Sequence, residues 1–300
     1  MKRALKLGLG TVQWGMVYGI ANRAGQATAD EVGKLILVAK QHGITLLDTA
    51  HSYGEAEKLL GGHGVVSMGF RVVTKTLPLE SNDITGQDAA LVSAAFMDSL
   101  RWLECTQVYG LLVHHADNLL AVGGDRLWAI LQDLKAQSRV EKIGVSVYQP
   151  NQLETILDRY QIDLVQLPLN LYDQRFMQTG LLGRLKKAGV EVHARSAFLQ
   201  GLLLLPPAQL PGHFSTIRNH HAKLHQEISE AGLTPLEACL RFCIDQADID
   251  QVIVGCETAG QFDEILGVAE QDGTYLPAPE SYSIRDETII DPSMWRKRAN

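Results

Sequence analysis

Four side chains that can transfer protons or hold charge follow three successive apolar runs of the sequence. Asp48 and Tyr53 lie in "LLDTAHSYGEAE", Lys75 lies in "RVVTKT" and His114 lies in "GLLVHH". An aspartate, a tyrosine, a lysine and a histidine in one pocket could perform general acid–base chemistry. Singly, each has a structural alternative as part of an ion pair, a hydrogen-bonded core hydroxyl or a packed imidazole. The chemistry therefore depends on whether the fold brings the four side chains together.

The elements that must position these residues are short apolar runs with amphipathic stretches between them. One stretch, "TADEVGKLILVAKQHG", opens on Thr28 as an N-cap and closes on Gly43, which is typical of a helix. The runs hardly alternate in polarity, which favours parallel strands buried on both faces. The runs span residues 6–11, 44–49, 71–76, 107–114, 142–147, 164–170, 190–196 and 251–256.

This pattern predicts an α/β fold, a (β/α)8 TIM barrel that forms a single domain over residues 1–300. A doubly wound sheet is the alternative, weakened because no G-x-G-x-x-G fingerprint follows the first run. In a barrel, the carboxyl ends of the strands meet at one mouth, so the four side chains should converge there. The long segment 200–233 follows the seventh run, and we expect it to carry function or to be disordered.

Composition and charge limit the class of partner. The chain of 300 residues is 46% hydrophobic with a net charge of −7, and it lacks the Lys/Arg cluster typical of nucleic-acid binding. Cys105, Cys239, Cys243 and Cys256 show no C-x-x-C spacing, so we expect reduced, mostly core thiols. The chain start predicts neither a signal peptide nor a membrane span, so we expect a cytoplasmic protein of undetermined oligomeric state.

The motifs "LGLGT", "DTAHSYG", "VVTKT" and "LLVHH" resemble those of the aldo-keto reductase superfamily, whose members carry Asp, Tyr, Lys and His in this order. With "IGVS", "VQLPLN" and "VIVG", the resemblance covers nearly the whole chain. It implies a bacterial aldo/keto reductase-like oxidoreductase that transfers a hydride between a nicotinamide cofactor and a small aldehyde or ketone. The same reaction in reverse would oxidise an alcohol.

The resemblance also implies a role for each of the four residues. Tyr53 would donate the proton as the carbonyl becomes an alkoxide, which contributes on the order of 10² to 10⁴ in rate. The ammonium of Lys75 would bring the pKa of Tyr53 toward working pH, and Asp48 would hold Lys75 by an ion pair. His114 would fix the carbonyl oxygen by a hydrogen bond and could assist proton delivery.

The cofactor implied by the resemblance is NADP(H), with NAD(H) as the alternative because basic residues are absent after the eighth run. Ser146 and Gln166 would contact the nicotinamide carboxamide, although Val147 stands where many members have an Asn. Near the adenosine, Gln261 and Ile265 occupy the aligned helix positions. The full set of positions expected at the cofactor is Gly10, Thr11, Asp48, Ser146, Gln166, Arg195, Ser196, Leu199, Gly201, Gly255, Gln261 and Glu264.

Arg195 stands where many members of the superfamily carry an aromatic residue that stacks on the nicotinamide. A guanidinium is planar and could pack on the ring in the same way. Alternatively, Arg195 could turn into the pocket and recruit an anionic substrate. A third possibility is an arginine at the rim that pairs with a nearby carboxylate.

Two other functions remain open at this level. The chain could be a barrel that binds the cofactor as a redox sensor or regulatory subunit with little turnover, although the four residues favour an enzyme. A metal-dependent hydrolase would need His and carboxylate ligands at the strand ends. His221 and His225 are four residues apart and could hold a metal, but a solvated helix face is the favoured interpretation.

Overall fold

A computed structural model of the chain describes residues 3–295, so the first two residues and the last five of the tail from 274 lie outside it. Within this range, parallel strands close a barrel in sequence order, and the first pairs with the last. Each strand overlaps one of the apolar runs, so the barrel is confirmed and the doubly wound sheet was wrong. The strands are β1 (Leu7–Gly10), β2 (Leu46–Asp48), β3 (Arg71–Lys75), β4 (Val108–Val113), β5 (Val140–Ser146), β6 (Leu164–Pro168), β7 (Glu191–Arg195) and β8 (Gln251–Gly255).

Helices connect the strands and cover the outside of the barrel. The α-helices of the described residues are α1 (Val12–Gly15), α2 (Ala29–Gln41), α3 (Ala56–Gly62), α4 (Gly86–Trp102), α5 (Asp117–Leu120), α6 (Gly124–Ala136), α7 (Pro150–Arg159), α8 (Arg175–Gln178), α9 (Leu181–Lys187), α10 (Arg218–Glu230), α11 (Pro235–Ile244), α12 (Ala259–Glu270) and α13 (Glu287–Ile290). Short 3₁₀ helices span Arg3–Lys6, Leu199–Leu204, Pro207–Gln209, Gly212–Ile217, Pro279–Tyr282 and Pro292–Met294.

Helix α2 shows how local sequence sets an element. The Thr28 hydroxyl accepts a hydrogen bond from the backbone N–H of Glu31, which satisfies one of the free donors at the helix start. Gly43 follows the helix end with φ of 72°, a left-handed conformation that glycine adopts readily. Both expected caps are confirmed. The apolar face packs into the core through Val32, Leu35, Ile36 and Ala39.

A small apolar cluster fills the interior of the barrel beneath its carboxyl-terminal mouth. In a strand, residues two apart point to the same side, so the residue two positions after a cluster member also faces the interior. Asp48, Lys75 and Gln166 are each placed in this way, so the strands that build the cluster also aim polar groups at the mouth. The buried members of the cluster are Leu46, Val73, Leu112, Leu164 and Ile253.

The segment 200–233 folds into 3₁₀ helices followed by α10. It is therefore ordered, and the alternative of a disordered segment was wrong. Its start is tied to the loop after β1. The Ile20 N–H donates to the Gln200 carbonyl at 3.1 Å, and the Gln200 amide donates to the Tyr18 hydroxyl at 3.0 Å. The loops that follow β1 and β7 therefore meet across one side of the barrel mouth.

The cysteines are free thiols, as expected. Cys239, Cys243 and Cys256 are buried, whereas Cys105 is half-buried beside the core. Across residues 3–295, no helix combines the length and the apolar character needed to cross a membrane.

Candidate active site

The four residues with acid–base side chains meet at the carboxyl-terminal mouth of the barrel. Asp48 and Lys75 end β2 and β3, His114 follows β4 directly, and Tyr53 lies on the loop after β2. The Lys75 Nζ lies 2.7 Å from Asp48 Oδ1 and 5.0 Å from the centroid of the Tyr53 ring. The rings of Tyr53 and His114 meet edge to face with centroids 5.9 Å apart. The strand ends thus bring together the side chains needed for acid–base chemistry.

The ion pair between Asp48 and Lys75 is buried, with 4% and 2% of the residues exposed. Burial of charge is costly unless every charged group finds partners. Lys75 also donates to the Thr49 carbonyl at 2.8 Å, and the Gln166 amide donates to Asp48 Oδ2 at 2.7 Å. Gln166 therefore positions Asp48, a contact that the sequence did not predict.

Tyr53 is held by a close approach between the loops after β1 and β2. A Cβ atom added to Gly15 would lie 1.7 Å from the Tyr53 carbonyl oxygen, so only glycine fits there. Gly54, with φ of 55°, would likewise place a Cβ atom 2.3 Å from the Gly15 carbonyl oxygen. These two glycines allow the backbone of Tyr53 to pack directly against α1, which sets the position of its side chain.

The acidity of Tyr53 differs from the sequence expectation. Burial, and next the negative charge of Asp48, raise the pKa of Tyr53 well above its usual value, while the charge of Arg195 partly opposes this. The Lys75 ammonium, 5.0 Å from the ring centroid, favours the phenolate, but its pairing with Asp48 at 2.7 Å weakens that effect, so burial decides the direction of the shift. The expected shift toward working pH was wrong for this structure. The phenol stays protonated, as a proton donor must be before the reaction.

His114 is held in its neutral form. Burial, followed by the charges of Lys75 and His115, lowers the pKa of His114 to about 2. Its Nδ1 lies 3.4 Å from the Ser52 hydroxyl, and its backbone N–H donates to the Thr76 hydroxyl. A neutral imidazole has one donor and one acceptor nitrogen, so His114 can orient a carbonyl oxygen without carrying a charge.

The lowered pKa of His114 makes the free energy of unfolding depend on pH. The unfolded chain binds a proton at His114 near pH 6.5, whereas the folded protein does so only near pH 2. As pH falls from 7 to 5, the unfolded state gains this proton and the free energy of unfolding decreases. We expect His114→Gln to remove about 1–2 kcal/mol of that decrease. Urea denaturation at the two pH values tests this, with His213→Gln outside the cavity as the control. Equal losses in all three proteins would contradict it.

The four residues line a cavity of about 430 Å³ at the barrel mouth. The same cavity collects nearly all positions expected at the cofactor, so residues from most of the strand ends share one site. Those expected positions that line it are Gly10, Thr11, Asp48, Ser146, Gln166, Arg195, Ser196, Gly201, Gly255, Gln261 and Glu264.

Leu199 is the exception among the expected cofactor positions. Its side chain is fully buried in the core, and it is not among the described residues that line the cavity. Its backbone N–H donates to the Ser196 carbonyl at 2.8 Å and is not free for a pyrophosphate. Leu199 packs inward while Gln200 and Gly201 line the cavity, so its contact with the cofactor stays a prediction.

Several polar groups in the cavity fit a dinucleotide. Thr11 Oγ1 and Gln13 Oε1 are buried, and each lacks a hydrogen-bond partner among the described residues. Such atoms are rare in folded proteins unless a ligand or water serves them. Gly255 leaves room for Gln13, since a Cβ atom at position 255 would lie 2.3 Å from the Gln13 amide. The cavity can therefore offer hydroxyl and amide groups to a polar cofactor.

The adenosine end expected for a cofactor is acidic. Glu257 and Glu264 line the cavity after β8, and no lysine or arginine lines this part within residues 3–295. Gln261 accepts hydrogen bonds from the N–H groups of Glu257 and Thr258 and so caps the start of α12. The Gln261 side chain therefore caps α12, a role that the sequence motifs alone do not reveal.

Arg195 packs on an aromatic ring of the protein and has no carboxylate partner among the described residues. Its guanidinium lies 4.1 Å from the centroid of the Tyr148 ring. Arg195 donates to the Val147 carbonyl at 3.1 Å and to the Ser196 hydroxyl at 3.3 Å. Because no described carboxylate lies within ion-pair distance, the interpretation as an arginine paired at the rim was wrong.

Sequence reasoning missed several residues that line the cavity. Tyr148 follows Ser146 by two positions at the end of β5, so the strand pattern could have found it. Most of the others lie in the connections after β1 and β7, whose course depends on packing rather than on a local pattern, whereas Leu236 lies on α11 and two residues lie on β8. The full set is Val12, Gln13, Tyr18, Gly19, Asn22, Ala197, Phe198, Gln200, Leu204, Leu236, Ile253 and Val254.

Two other histidines singled out by the sequence make contacts within the fold. His51 stacks on Trp102 with centroids 4.8 Å apart and lies outside the described cavity lining. His221 is fully buried, with Nδ1 2.8 Å from the Tyr172 hydroxyl and Nε2 2.8 Å from the Leu205 carbonyl oxygen. A solvated face was thus wrong for His221. The described residues contain no group of three or more His, Cys, Asp or Glu that could hold a metal.

The fold defines the chain as a (β/α)8 barrel, and the model of the Aldo/keto reductase family matches residues 6–273. The chain therefore belongs to the aldo/keto reductase family of NAD(P)H-dependent oxidoreductases.

Individual relatives are distant but cover most of the chain. Aldo-keto reductase YhdN of Bacillus subtilis is 23% identical over 96% of this chain and 92% of that protein. The holo form of aldo-keto reductase AKR11C1 from Bacillus halodurans is 19% identical with a TM-score of 0.72, over 89% of this chain and 87% of that chain. The glycerol dehydrogenase AKR11B4 of Gluconobacter oxydans is 21% identical with a TM-score of 0.69, over 96% and 92%. These structures agree in fold.

Proposed function

We propose that this enzyme reduces an aldehyde or ketone, or oxidises the corresponding alcohol, with Asp48, Tyr53, Lys75 and His114 at the reaction centre. The observation that carries the proposal is the contact of Lys75 with both the Asp48 carboxylate and the face of the Tyr53 ring, inside a cavity that His114 also lines. A bound nicotinamide cofactor would supply or accept the hydride.

Each residue has a separate task in this proposal. The neutral imidazole of His114 orients the carbonyl oxygen, and the Tyr53 hydroxyl donates a proton to that oxygen as negative charge develops. The Lys75 ammonium stabilises the phenolate that Tyr53 leaves behind. Asp48, held by Gln166, keeps Lys75 in place beside the ring. In the reverse direction the same groups remove the proton of an alcohol.

The direct test has two parts. Fluorescence titration with NADPH and NADH measures cofactor binding, and a panel of small aldehydes with each cofactor measures turnover. We expect saturable cofactor binding and turnover of at least one aldehyde. Cofactor binding without any turnover of carbonyls or alcohols would contradict the proposal and favour a sensor or regulatory subunit.

For the cofactor, we propose NADP(H) with substantial use of NAD(H). A charge-assisted contact between an arginine and a phosphate is worth about 1.5–3 kcal/mol, and Glu257, Gln261 and Glu264 cannot supply it. We therefore expect the dissociation constants to favour NADPH over NADH by less than about 1,000-fold.

A charge reversal at position 257 should change the preference between NADPH and NADH. We expect Glu257→Arg to shift the ratio of dissociation constants toward NADPH by about tenfold or more, since it adds a phosphate contact. Asp263→Arg is the matched control, because Asp263 is exposed on α12 and is outside the described cavity lining. The same shift in both variants would mean that long-range charge, and not contact at position 257, sets the ratio.

The free cysteines bear on location. Free thiols are typical of proteins kept in a reducing compartment. We propose that the enzyme acts in the cytoplasm.

A further inference from the structure

Arg195 is held in place at the reaction end of the cavity, by which we mean the end where Asp48, Tyr53, Lys75 and His114 lie. It ends β7, its guanidinium stacks on the Tyr148 ring at 4.1 Å, and Val147 and Ser196 accept two of its hydrogen bonds. A guanidinium has five N–H donors, so three are not matched by residues of the described structure. Arg195 and Tyr148 both line the cavity.

The charges around Arg195 do not cancel. Lys75 is the other strongly basic side chain of the described lining, and Asp48 neutralises it. Glu257 and Glu264 also line the cavity, but neither lies within ion-pair distance of Arg195 in the described structure. The reaction end therefore carries one uncompensated positive charge, and a partly buried charge without a counterion is costly to a protein.

The surroundings of Arg195 are also rich in hydroxyl groups. Tyr18, Tyr53 and Tyr148 line the same cavity, and Gln200 donates to the Tyr18 hydroxyl. The positive charge of Arg195 opposes the rise in the pKa of Tyr53 that burial and Asp48 cause, so it acts on the proton donor itself. Because Arg195 and Tyr53 line the same cavity, an anion bound at Arg195 and a carbonyl at Tyr53 can belong to one substrate.

We propose that the substrate carries an anionic group, a carboxylate or a phosphate, which Arg195 binds while the carbonyl lies against Tyr53 and His114. A planar guanidinium matches both anions with paired hydrogen bonds. Stacking on Tyr148 fixes the orientation of the fork before the substrate arrives. This inference rests on the proposed carbonyl reduction and adds the class of substrate to it.

The test compares charged and neutral aldehydes of similar size. Succinic semialdehyde is paired with butyraldehyde for the carboxylate, and glyceraldehyde 3-phosphate is paired with glyceraldehyde for the phosphate. We expect the charged member of at least one pair to have the higher kcat/KM, mainly through a lower KM. Arg195→Gln should lower the charged-to-neutral ratio of that pair by about tenfold to 150-fold, the range for a hydrogen bond to a charged group.

Arg184→Gln provides the matched control. Arg184 lies on α9, pairs with Asp158 and is outside the described cavity lining, so this variant should keep the parent ratio. The two pairs of substrates show whether a carboxylate or a phosphate is preferred. A parent enzyme that turns over neutral aldehydes without preferring either anion would overturn the inference and leave the proposed function intact.

Binding without turnover gives an independent readout. Succinate should quench the fluorescence of the complex with NADPH or NADH in the parent and bind at least about tenfold more weakly to Arg195→Gln, whereas neutral succinamide should not distinguish them. Failure of succinate to bind the parent complex, together with no preference for glyceraldehyde 3-phosphate, would overturn the inference. An equal loss of affinity for NADPH, NADH and both classes of aldehyde in Arg195→Gln would also overturn it, and would place Arg195 on the cofactor.

Discussion

Tyr53→Phe is expected to lower kcat for aldehyde reduction by about 10²- to 10⁴-fold, the range for loss of a positioned general acid. The substitution removes one hydroxyl and keeps the ring that packs under Lys75 and against His114. The cavity surfaces expected to hold the cofactor are unchanged, so the dissociation constants for NADPH and NADH should stay close to those of the parent. Steady-state kinetics and fluorescence titration on the same preparations measure the two effects separately.

Tyr160→Phe is the matched control for this experiment. Its hydroxyl donates to the Leu119 carbonyl at 3.1 Å and lies outside the described cavity lining. Removal of that hydroxyl should affect stability and leave kcat close to the parent value. Substantial carbonyl reduction by Tyr53→Phe would show that another group, such as His114, donates the proton.

The barrel could be predicted from sequence because its pattern is local. Buried strands leave apolar runs that hardly alternate, and residues at the strand ends are fixed by a repeat of two. Asp48 and Lys75 lie at the strand ends where the sequence predicted them. Helix α2 was found for the same reason, since Thr28 and Gly43 mark its ends within a few residues of sequence.

Other features depend on contacts between distant parts of the chain. The hydrogen bond from the Gln166 amide to Asp48 joins residues 118 positions apart. The buried side chain of His221 contacts Tyr172 and Leu205, which lie in the connections after β6 and after β7. The direction of the shift in the Tyr53 pKa depends on whether burial outweighs the stabilisation of the phenolate by a lysine that is already paired. The amino-acid sequence holds no information on that balance. Loops after β1 and β7 supply most of the missed lining for the same reason.

The pair of Asp48 and Lys75 is expected to be the most sensitive point of the fold as well as of the site. Both side chains are buried, and the removal of one partner leaves the other charge in a place with little water. We expect Lys75→Met and Asp48→Asn each to lower the free energy of unfolding by about 3–5 kcal/mol, the range for a broken buried pair. Urea denaturation at fixed pH measures the loss.

The double variant Asp48→Asn with Lys75→Met separates stability from chemistry. It removes both charges of this pair, and the Gln166 amide can turn to bond the amide introduced at position 48, so its loss of stability should be well below the sum of the two single losses. Its kcat should nevertheless stay as low as that of Lys75→Met, because the ammonium that would stabilise the Tyr53 phenolate is absent in both. Single losses that simply add would show that the ion pair does not couple the two residues. Recovery of kcat together with stability would mean that Lys75 serves the fold alone, and that Tyr53 donates its proton without help from a neighbouring positive charge.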